Sequence, residues 1–162
     1  MTNLENLVKD LNALCDRLDK DYDINYGGCC FVAYLMMKHF EKIGLHPTLV
    51  IENDCEKIDK DDFLNCVHTR SGNCQGLKDQ TCYHYFVYIP EIDEYVNSGE
   101  FYEEYRKSYE DYLYKFQGLS AKDVHWIYKT GDWNSNYNRK NNPMVGRKIA
   151  QVFRKYEDLY QE

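Results

Sequence analysis

The sequence predicts a single α+β domain over residues 1–162, and three observations carry this prediction. The 162 residues are 43% hydrophobic and 15% aromatic, which is enough for one compact core. Apolar residues recur at helical spacing in several segments that Gly and Pro separate. The runs TLVIEN and YHYFVYI are rich in β-branched and aromatic residues, as strands are. We expect a core over roughly 22–100, an N-terminal helix over 3–20 and a helical C-terminal part over 100–162.

The first half of the chain predicts two helices and a strand. Residues 3–20 place Leu and Val at helical intervals with charges between them, which predicts an amphipathic helix. The segment from Cys29 to Ile43 has few charges and predicts a central, buried helix. Gly44 ends this helix as a C′ glycine, and the strand TLVIEN follows. Residues 53–80 predict a polar surface loop with one helical turn, or a loop that shapes a binding site.

The second half predicts a hairpin and three helices. YHYFVYI and EYVNS are separated by the turn PEID, which favours two antiparallel strands. The segment EFYEEYRKSYEDYLYKF, residues 100–116, predicts a Tyr-rich helix. SAKDVHWIYK starts with Ser120 and Asp123 at capping-box spacing and predicts a short helix. A final helix is expected over 144–160.

Charge and hydropathy exclude some classes of protein. The formal net charge is −7, so the chain has no broad basic surface for phosphates and nucleic-acid binding is not expected. The N-terminal segment lacks the apolar core of a signal peptide, and no apolar stretch reaches the roughly 18 residues of a membrane span. We therefore expect no membrane association and a cytoplasmic location. This composition is compatible with a protein or peptide partner. It does not indicate an oligomeric state.

The seven cysteines are expected to be mostly free thiols, because the count is odd and no secretion signal is evident. Cys15 falls near the Leu stripe of the first helix and is expected to be buried. The chain has no C-x-x-C pair, so neither a metal nor another cofactor is expected. A zinc site using Cys66, Cys74, Cys82 and a histidine, such as His68, stays open as an alternative.

Three residues in chain order have the chemistry of a nucleophilic site. Cys29 follows two glycines at the start of the central helix, where free N–H groups and the helix dipole stabilise a thiolate. His84 opens the strand of the hairpin and can supply an imidazole base. Asn97 ends the next strand, where its side-chain oxygen can receive the other N–H of the histidine. We expect a Cys29–His84–Asn97 triad.

These segments resemble papain-like and transglutaminase-like proteins. GGCCFVAYLMMKHFEKIGLHPTLV places Cys29, Ala33 and Gly44 at the family's positions for the nucleophile, the alanine four residues on and the glycine that closes the helix. HYFVYIPEIDEYVNSGE resembles the second and third motifs, with His84 and Asn97 in place. A looser similarity links the NxGGC opening to short bacterial and phage-encoded members.

The resemblance implies a papain-like fold, in which the Cys-bearing helix packs on a small antiparallel sheet. It also implies acyl transfer through a thioester, with amide or peptide hydrolysis favoured over deamidation and transamidation. For a phage-encoded chain the location would be the host cytoplasm. The alternative is a non-catalytic protein that keeps this fold and binds another protein of the host.

The chain departs from the papain pattern at the residue that completes the oxyanion hole. The family's glutamine, six residues before the nucleophile, is replaced by Asp23. We expect Asn25 or Tyr26 to supply the second oxyanion donor, and Gly28 to let substrate approach. Trp133, in a polar loop, is either a core residue or an aromatic wall of the site.

Cys30 is the competing nucleophile. Counting from Cys30 would move both the alanine and the closing glycine out of the family's spacing, so Cys29 is the preferred candidate. Cys30 is then expected to point elsewhere as a buried structural thiol.

Overall fold

The structure, a computed structural model, describes residues 2–53, 57–72, 83–97, 113–131 and 136–157. Within these ranges it is an α+β protein with five helices and four strands. In chain order they are α1 (Asn3–Tyr22), α2 (Cys29–Lys42), β1 (Thr48–Asn53), α3 (Lys60–Thr69), β2 (Tyr83–Ile89), β3 (Glu94–Val96), β4 (Leu113–Phe116), α4 (Ala121–Thr130) and α5 (Asn142–Arg154).

The ends of the predicted helices follow from local capping. The Thr2 hydroxyl and the Glu5 carboxylate form a capping box at the start of α1. Helix α2 ends in a Schellman motif, in which Gly44 adopts a φ of 88° and the Leu45 N–H donates to Phe40 O at 3.0 Å. The Ser120 capping box starts α4 as expected. The first, second and fourth helices are thus confirmed to within two residues at each end.

The four strands form one antiparallel sheet in the order β3-β2-β1-β4. Strand β1 lies between β2 and β4, with Leu49 opposite both Val87 and Phe116. The hairpin is confirmed, with Val87 opposite Val96. The alternation of side chains directs Tyr83, Tyr85 and Val87 into the main core and Phe86 to the other face.

The predicted Tyr-rich helix is wrong at its C-terminal end. Residues Leu113–Phe116 form strand β4, which pairs with β1 at the edge of the sheet. The pairing satisfies main-chain groups of β1 that a helix would leave without partners, and it buries Phe116 against Phe63 of α3. The rest of the predicted helix lies outside the described residues. The C-terminal part is therefore not wholly helical.

Two further helices differ in length from the predictions. Helix α3 has ten residues instead of one turn, and the Asp59 carboxylate caps it by accepting from the N–H of Asp62 at 3.1 Å. Helix α5 starts at Asn142, with Pro143 in its first turn, and ends at Arg154. Its predicted end at residue 160 falls outside the described residues.

Helix α2 lies at the centre of the molecule. It packs on β2 and also contacts α4 and α5, while α1 packs against α5 and β3. Helix α2 is therefore buried around most of its circumference, which explains why it has few charges. Its buried residues are Cys29, Cys30, Val32, Ala33, Leu35, Met36, Met37 and Phe40. Among the described helices, none is long and apolar enough to cross a membrane.

Candidate functional site

A tight turn between α1 and α2 places Cys29 at the start of the central helix. Helix α1 ends at Asp23, whose φ of 56° is left-handed and whose N–H donates to Asp19 O at 2.8 Å. One turn, Ile24–Gly28, follows, and Gly27 has a φ of 114° that residues with a side chain rarely adopt. The first glycine of NYGGCC is thus required by the backbone.

The second glycine is required by packing. The space that a Cβ would occupy at Gly28 is taken by the ring of Tyr137, whose Cγ and Cδ2 would lie 2.9 Å from it. The Tyr137 N–H donates to Tyr26 O at 3.3 Å, and its hydroxyl donates to Asn142 Oδ1. The group that approaches Gly28 in the structure is therefore Tyr137 and not a substrate, a contact that no local signal in the sequence could reveal.

Cys29 is buried, with 1% of its surface exposed, and its Sγ donates to Tyr83 O at 3.9 Å. Burial raises the pKa of the thiol to about 11, although the main-chain N–H groups of Tyr85, Cys30 and Cys29 itself each lower it; the Asp19 carboxylate adds to the rise. The helix start does present N–H groups to the sulfur. Burial outweighs them, so the thiol is protonated at neutral pH.

The sulfur of Cys29 lies against the main chain of β2 on both sides of His84. Its contacts are the carbonyl of Tyr83 and the N–H of Tyr85, the two residues that flank the histidine. The pairing between β2 and β3 stops at Val87 and Val96. The Tyr83 carbonyl and the Tyr85 N–H therefore lie beyond the paired part of the hairpin. The topology therefore brings the Cys29 sulfur to the main chain on either side of His84.

The side chains of Cys29 and His84 are hydrogen-bonded to different groups in this arrangement. His84 and Phe86 stack with their ring centres 5.4 Å apart, on the face of the sheet away from Tyr83 and Tyr85. Across the described ranges no hydrogen bond joins the sulfur to the imidazole; each bonds to a main-chain carbonyl instead. The predicted nucleophile and the predicted base are therefore not hydrogen-bonded to each other.

His84 is oriented by the main chain of Asn97. Its Nε2 donates to Asn97 O at 2.7 Å, and because a carbonyl only accepts, the neutral ring carries its lone pair on Nδ1. Burial lowers the pKa of the imidazole, whereas the bond to Asn97 and the charge of Asp19 raise it. His84 is thus held in one tautomer, with Nδ1 as the basic nitrogen.

Asn97 acts through a different group from the one expected. Its φ of 64° is left-handed, its N–H donates to Asn12 Oδ1 at 2.8 Å, and its carbonyl accepts from His84. The side-chain Nδ2 is buried without a hydrogen-bond partner. Asn12 also donates to Tyr95 O at 3.0 Å, which ties α1 to the end of β3. The orienting oxygen belongs to the backbone, and the side-chain Nδ2 is left without a partner.

The other predicted site residues have different positions. The Asn25 N–H donates to Asp19 Oδ1 at 2.8 Å, and its Oδ1 is buried without a partner, so the unsatisfied atom is an acceptor and not the expected donor. Tyr26 is 61% exposed. Trp133 lies outside the described residues. Asp19 accepts from the Asn25 N–H, and its charge raises the pKa of both Cys29 and His84. The sequence patterns do not predict Asp19 as a site residue.

Cys30 lies apart from these groups. It is fully buried, its Sγ donates to Val124 O of α4 at 3.8 Å, and burial raises the pKa of its thiol. The two adjacent thiols therefore face different elements, Cys29 toward β2 and Cys30 toward α4. Cys30 has the surroundings of a packing residue.

The described residues include no group of three or more His, Cys, Asp or Glu that is arranged to hold a metal ion. Of the cysteines in the zinc alternative, Cys66 is buried in α3. Cys74 and Cys82 lie outside the described residues.

Comparison of the chain with protein-family models, curated proteins and solved structures finds no match. The class that the structure defines is α+β, with an antiparallel sheet.

Proposed function

We propose that the protein is a thiol-dependent acyl-transfer enzyme with a papain-like fold, in which Cys29 is the nucleophile, His84 the base and Asn97 the residue that orients His84. The observation that carries the proposal is the place of the sulfur, between the carbonyl of Tyr83 and the N–H of Tyr85 and so beside His84. Amide or peptide hydrolysis is the favoured reaction, because the sequence contains no motif for a second substrate or a cofactor.

The reaction follows from the roles of these groups. The Cys29 thiol transfers its proton to His84 Nδ1, and the sulfur bonds to the substrate's carbonyl carbon. The carbon–nitrogen bond then breaks, and the amine leaves with the proton from the imidazolium, which yields a thioester. Water attacks the thioester, releases the acid and returns the proton to the sulfur. The first step requires the imidazole to turn toward the sulfur, since each of the two is hydrogen-bonded to a main-chain carbonyl and not to the other in the structure.

A second candidate is a non-catalytic binding protein with the same fold. The observation that favours it is the closed environment of Cys29, whose thiol is 1% exposed and has a pKa raised to about 11 by burial. In such a protein Cys29 is a packing residue like Cys30. The two candidates differ in one measurable property, the reactivity of the Cys29 sulfur at mildly acidic pH.

The test is the rate at which iodoacetamide alkylates Cys29 at pH 6, followed by peptide mass spectrometry, with the urea-unfolded chain as reference. The enzyme predicts faster alkylation of Cys29 in the folded chain than in the unfolded one, and loss of this advantage in His84→Gln. His125→Gln is the matched control, because His125 stacks on Tyr34 away from the site. Slow alkylation of Cys29 in the folded chain, unchanged by His84→Gln, would refute the enzyme and support the binding protein.

A further inference from the structure

The side chain of Asn12 joins helix α1 to strand β3. Its Oδ1 accepts from the Asn97 N–H at 2.8 Å, and its Nδ2 donates to Tyr95 O at 3.0 Å. The amide thus bonds to the residues on either side of Val96, as the peptide group of a neighbouring strand would. Strand β3 is at the edge of the sheet, where one row of main-chain groups has no partner strand. Asn12 supplies partners for two of these groups.

The position of Asn12 in α1 is explained by these bonds and not by the helix. Asn12 lies in the middle of a helix of 20 residues, although asparagine is a weak helix former. Its short amide competes with the backbone for hydrogen bonds and so favours caps and turns. Here the amide bonds instead to residues 83 and 85 positions away. The asparagine therefore weakens the helix locally and stabilises the end of β3.

The bond from Asn12 has a consequence for the carbonyl of Asn97. In a strand, the N–H and the carbonyl of one residue point to the same side. At Asn97 the N–H points to Asn12 on α1, whereas the carbonyl points to the His84 ring, with 2.7 Å between the oxygen and Nε2. The left-handed φ of 64° makes the two directions different. With its N–H held by Asn12, Asn97 directs its carbonyl at His84.

We propose that Asn12 is a positioning residue of the enzyme, which acts through Asn97 to hold His84 in the tautomer that carries its proton on Nε2. This inference rests on the proposed function, because the unprotonated Nδ1 is the atom that would accept the proton of Cys29. A ring with its proton on Nδ1 could not accept at that atom. The role is indirect, since Asn12 bonds to Asn97 and Asn97 bonds to His84.

The first test is the tautomer of His84 in the wild type, which does not depend on the folding of a variant. Long-range ¹H–¹⁵N correlation spectra at pH 8, where imidazole rings are neutral, show which nitrogen of each histidine carries the proton. The His84 signals are identified by their loss in His84→Gln. We expect a proton on Nε2 and none on Nδ1, as the bond to Asn97 O requires. A proton on Nδ1, or an equal division between the nitrogens, would overturn the proposal.

The second test removes the amide of Asn12. Asn12→Ala and Asn12→Leu both lack its two hydrogen bonds, and leucine keeps nearly the same volume. In each variant the ratio of the Nε2–H to the Nδ1–H tautomer of His84 should fall about fivefold, the factor that one hydrogen bond of average strength provides. The ¹⁵N shifts of the two nitrogens should then move toward each other. Ser120→Ala is the matched control, because it destabilises the protein at the cap of α4 and should leave the tautomer unchanged.

The alkylation rate of Cys29 at pH 6 connects the tautomer with the reaction. In the Asn12 variants the advantage of the folded over the unfolded chain should decrease by up to the same factor, since the bond to Asn97 O also favours the protonated ring. Ser120→Ala should keep the advantage of the wild type.

The outcomes separate this inference from the function on which it rests. If folded Asn12 variants keep the tautomer ratio of the wild type, or if Ser120→Ala changes the ratio equally, the positioning role is wrong and the nucleophile stands. If the ratio depends on Asn12 but Cys29 of the wild type reacts no faster than the unfolded chain, the proposed function fails. Asn12 would then orient a structural histidine, and its role in an enzyme would fail with the function.

Discussion

Replacing Gly28 by alanine should destabilise the protein although the change adds only one methyl group. The new Cβ would lie 2.9 Å from two carbons of the Tyr137 ring, closer than real Cβ contacts come. Carbon atoms pack best at about 3.5–4.0 Å, so the ring would have to retreat by a large part of an ångström. The substitution therefore measures how firmly Tyr137 is held against the start of α2.

The size of the effect follows from how Tyr137 is held. Its N–H bonds to Tyr26 O, its hydroxyl to Asn142, and Asn142 Nδ2 donates to the hydroxyl of Tyr128 at 3.2 Å. The ring cannot move without straining these bonds, and overpacking of a well-packed site costs about 1–3 kcal/mol. For a chain of this length each kcal/mol lowers Tm by about 2–4 °C, so we expect a decrease of about 2–12 °C.

The assay is thermal and urea unfolding of Gly28→Ala beside Gly146→Ala. Gly146 lies in α5, where an added Cβ meets no atom within 4 Å, so this control should gain about 0.5–1 kcal/mol from helix propensity. Equal stability of Gly28→Ala and the wild type would refute the contact with Tyr137. Equal destabilisation by both substitutions would show that the helices, and not the packing at Gly28, are sensitive to alanine.

Three further substitutions have defined outcomes. Burial and neighbouring lysines lower the pKa of His39, which stacks on Phe153 at 4.6 Å, so the folded state binds its proton less readily than the unfolded state. The stability linked to this group is therefore lost as pH falls below about 6.5, and the urea midpoint of His39→Phe should fall less steeply between pH 7 and 5 than that of the wild type. Ser120→Ala removes the cap of α4 and should cost about 1 kcal/mol in urea unfolding, whereas Lys122→Ala, at an exposed position of the same helix, should change stability by less than about 0.5 kcal/mol. Cys30→Ala should lower the unfolding midpoint but leave the alkylation rate of Cys29 unchanged; a large change in that rate would contradict the separate surroundings of the two thiols.

The elements that the sequence predicts well are those with a local cause. The glycine that ends α2, the capping box of α4 and the alternating pattern of the hairpin all act within a few residues, and each appears in the structure where expected. Strand β4 has a distant cause. Its residues form a strand because they pair with the main chain of β1, which lies more than sixty positions earlier. No periodicity within residues 100–116 could predict this pairing.

The candidate site likewise has some features with a local cause in the sequence and others with a distant cause. The order of Cys29, His84 and Asn97 along helix, strand and strand follows from local patterns. The topology brings the Cys29 sulfur to the main chain beside His84, and the His84 ring to the carbonyl of Asn97. Asn12 accepts from the N–H of Asn97 and Asp19 from the N–H of Asn25; both are polar residues on an amphipathic helix whose sequence resembles any solvent-exposed face. The contact of Asn12 with Asn97 spans 85 positions and leaves no spacing signal.

In the proposed enzyme, activation of Cys29 comes from His84, because the helix start does not supply it alone. Three main-chain N–H groups lower the pKa of the thiol, yet burial keeps it at about 11. Exclusion of water destabilises a thiolate that has no partner. It strengthens the attraction between a thiolate and an imidazolium once the two are in contact. Burial lowers the pKa of His84 overall, although Asn97 O and the Asp19 carboxylate each favour a proton on the ring. Burial thus disfavours both charged partners when they are apart, and in the proposed enzyme the contact between His84 and the sulfur decides whether proton transfer takes place.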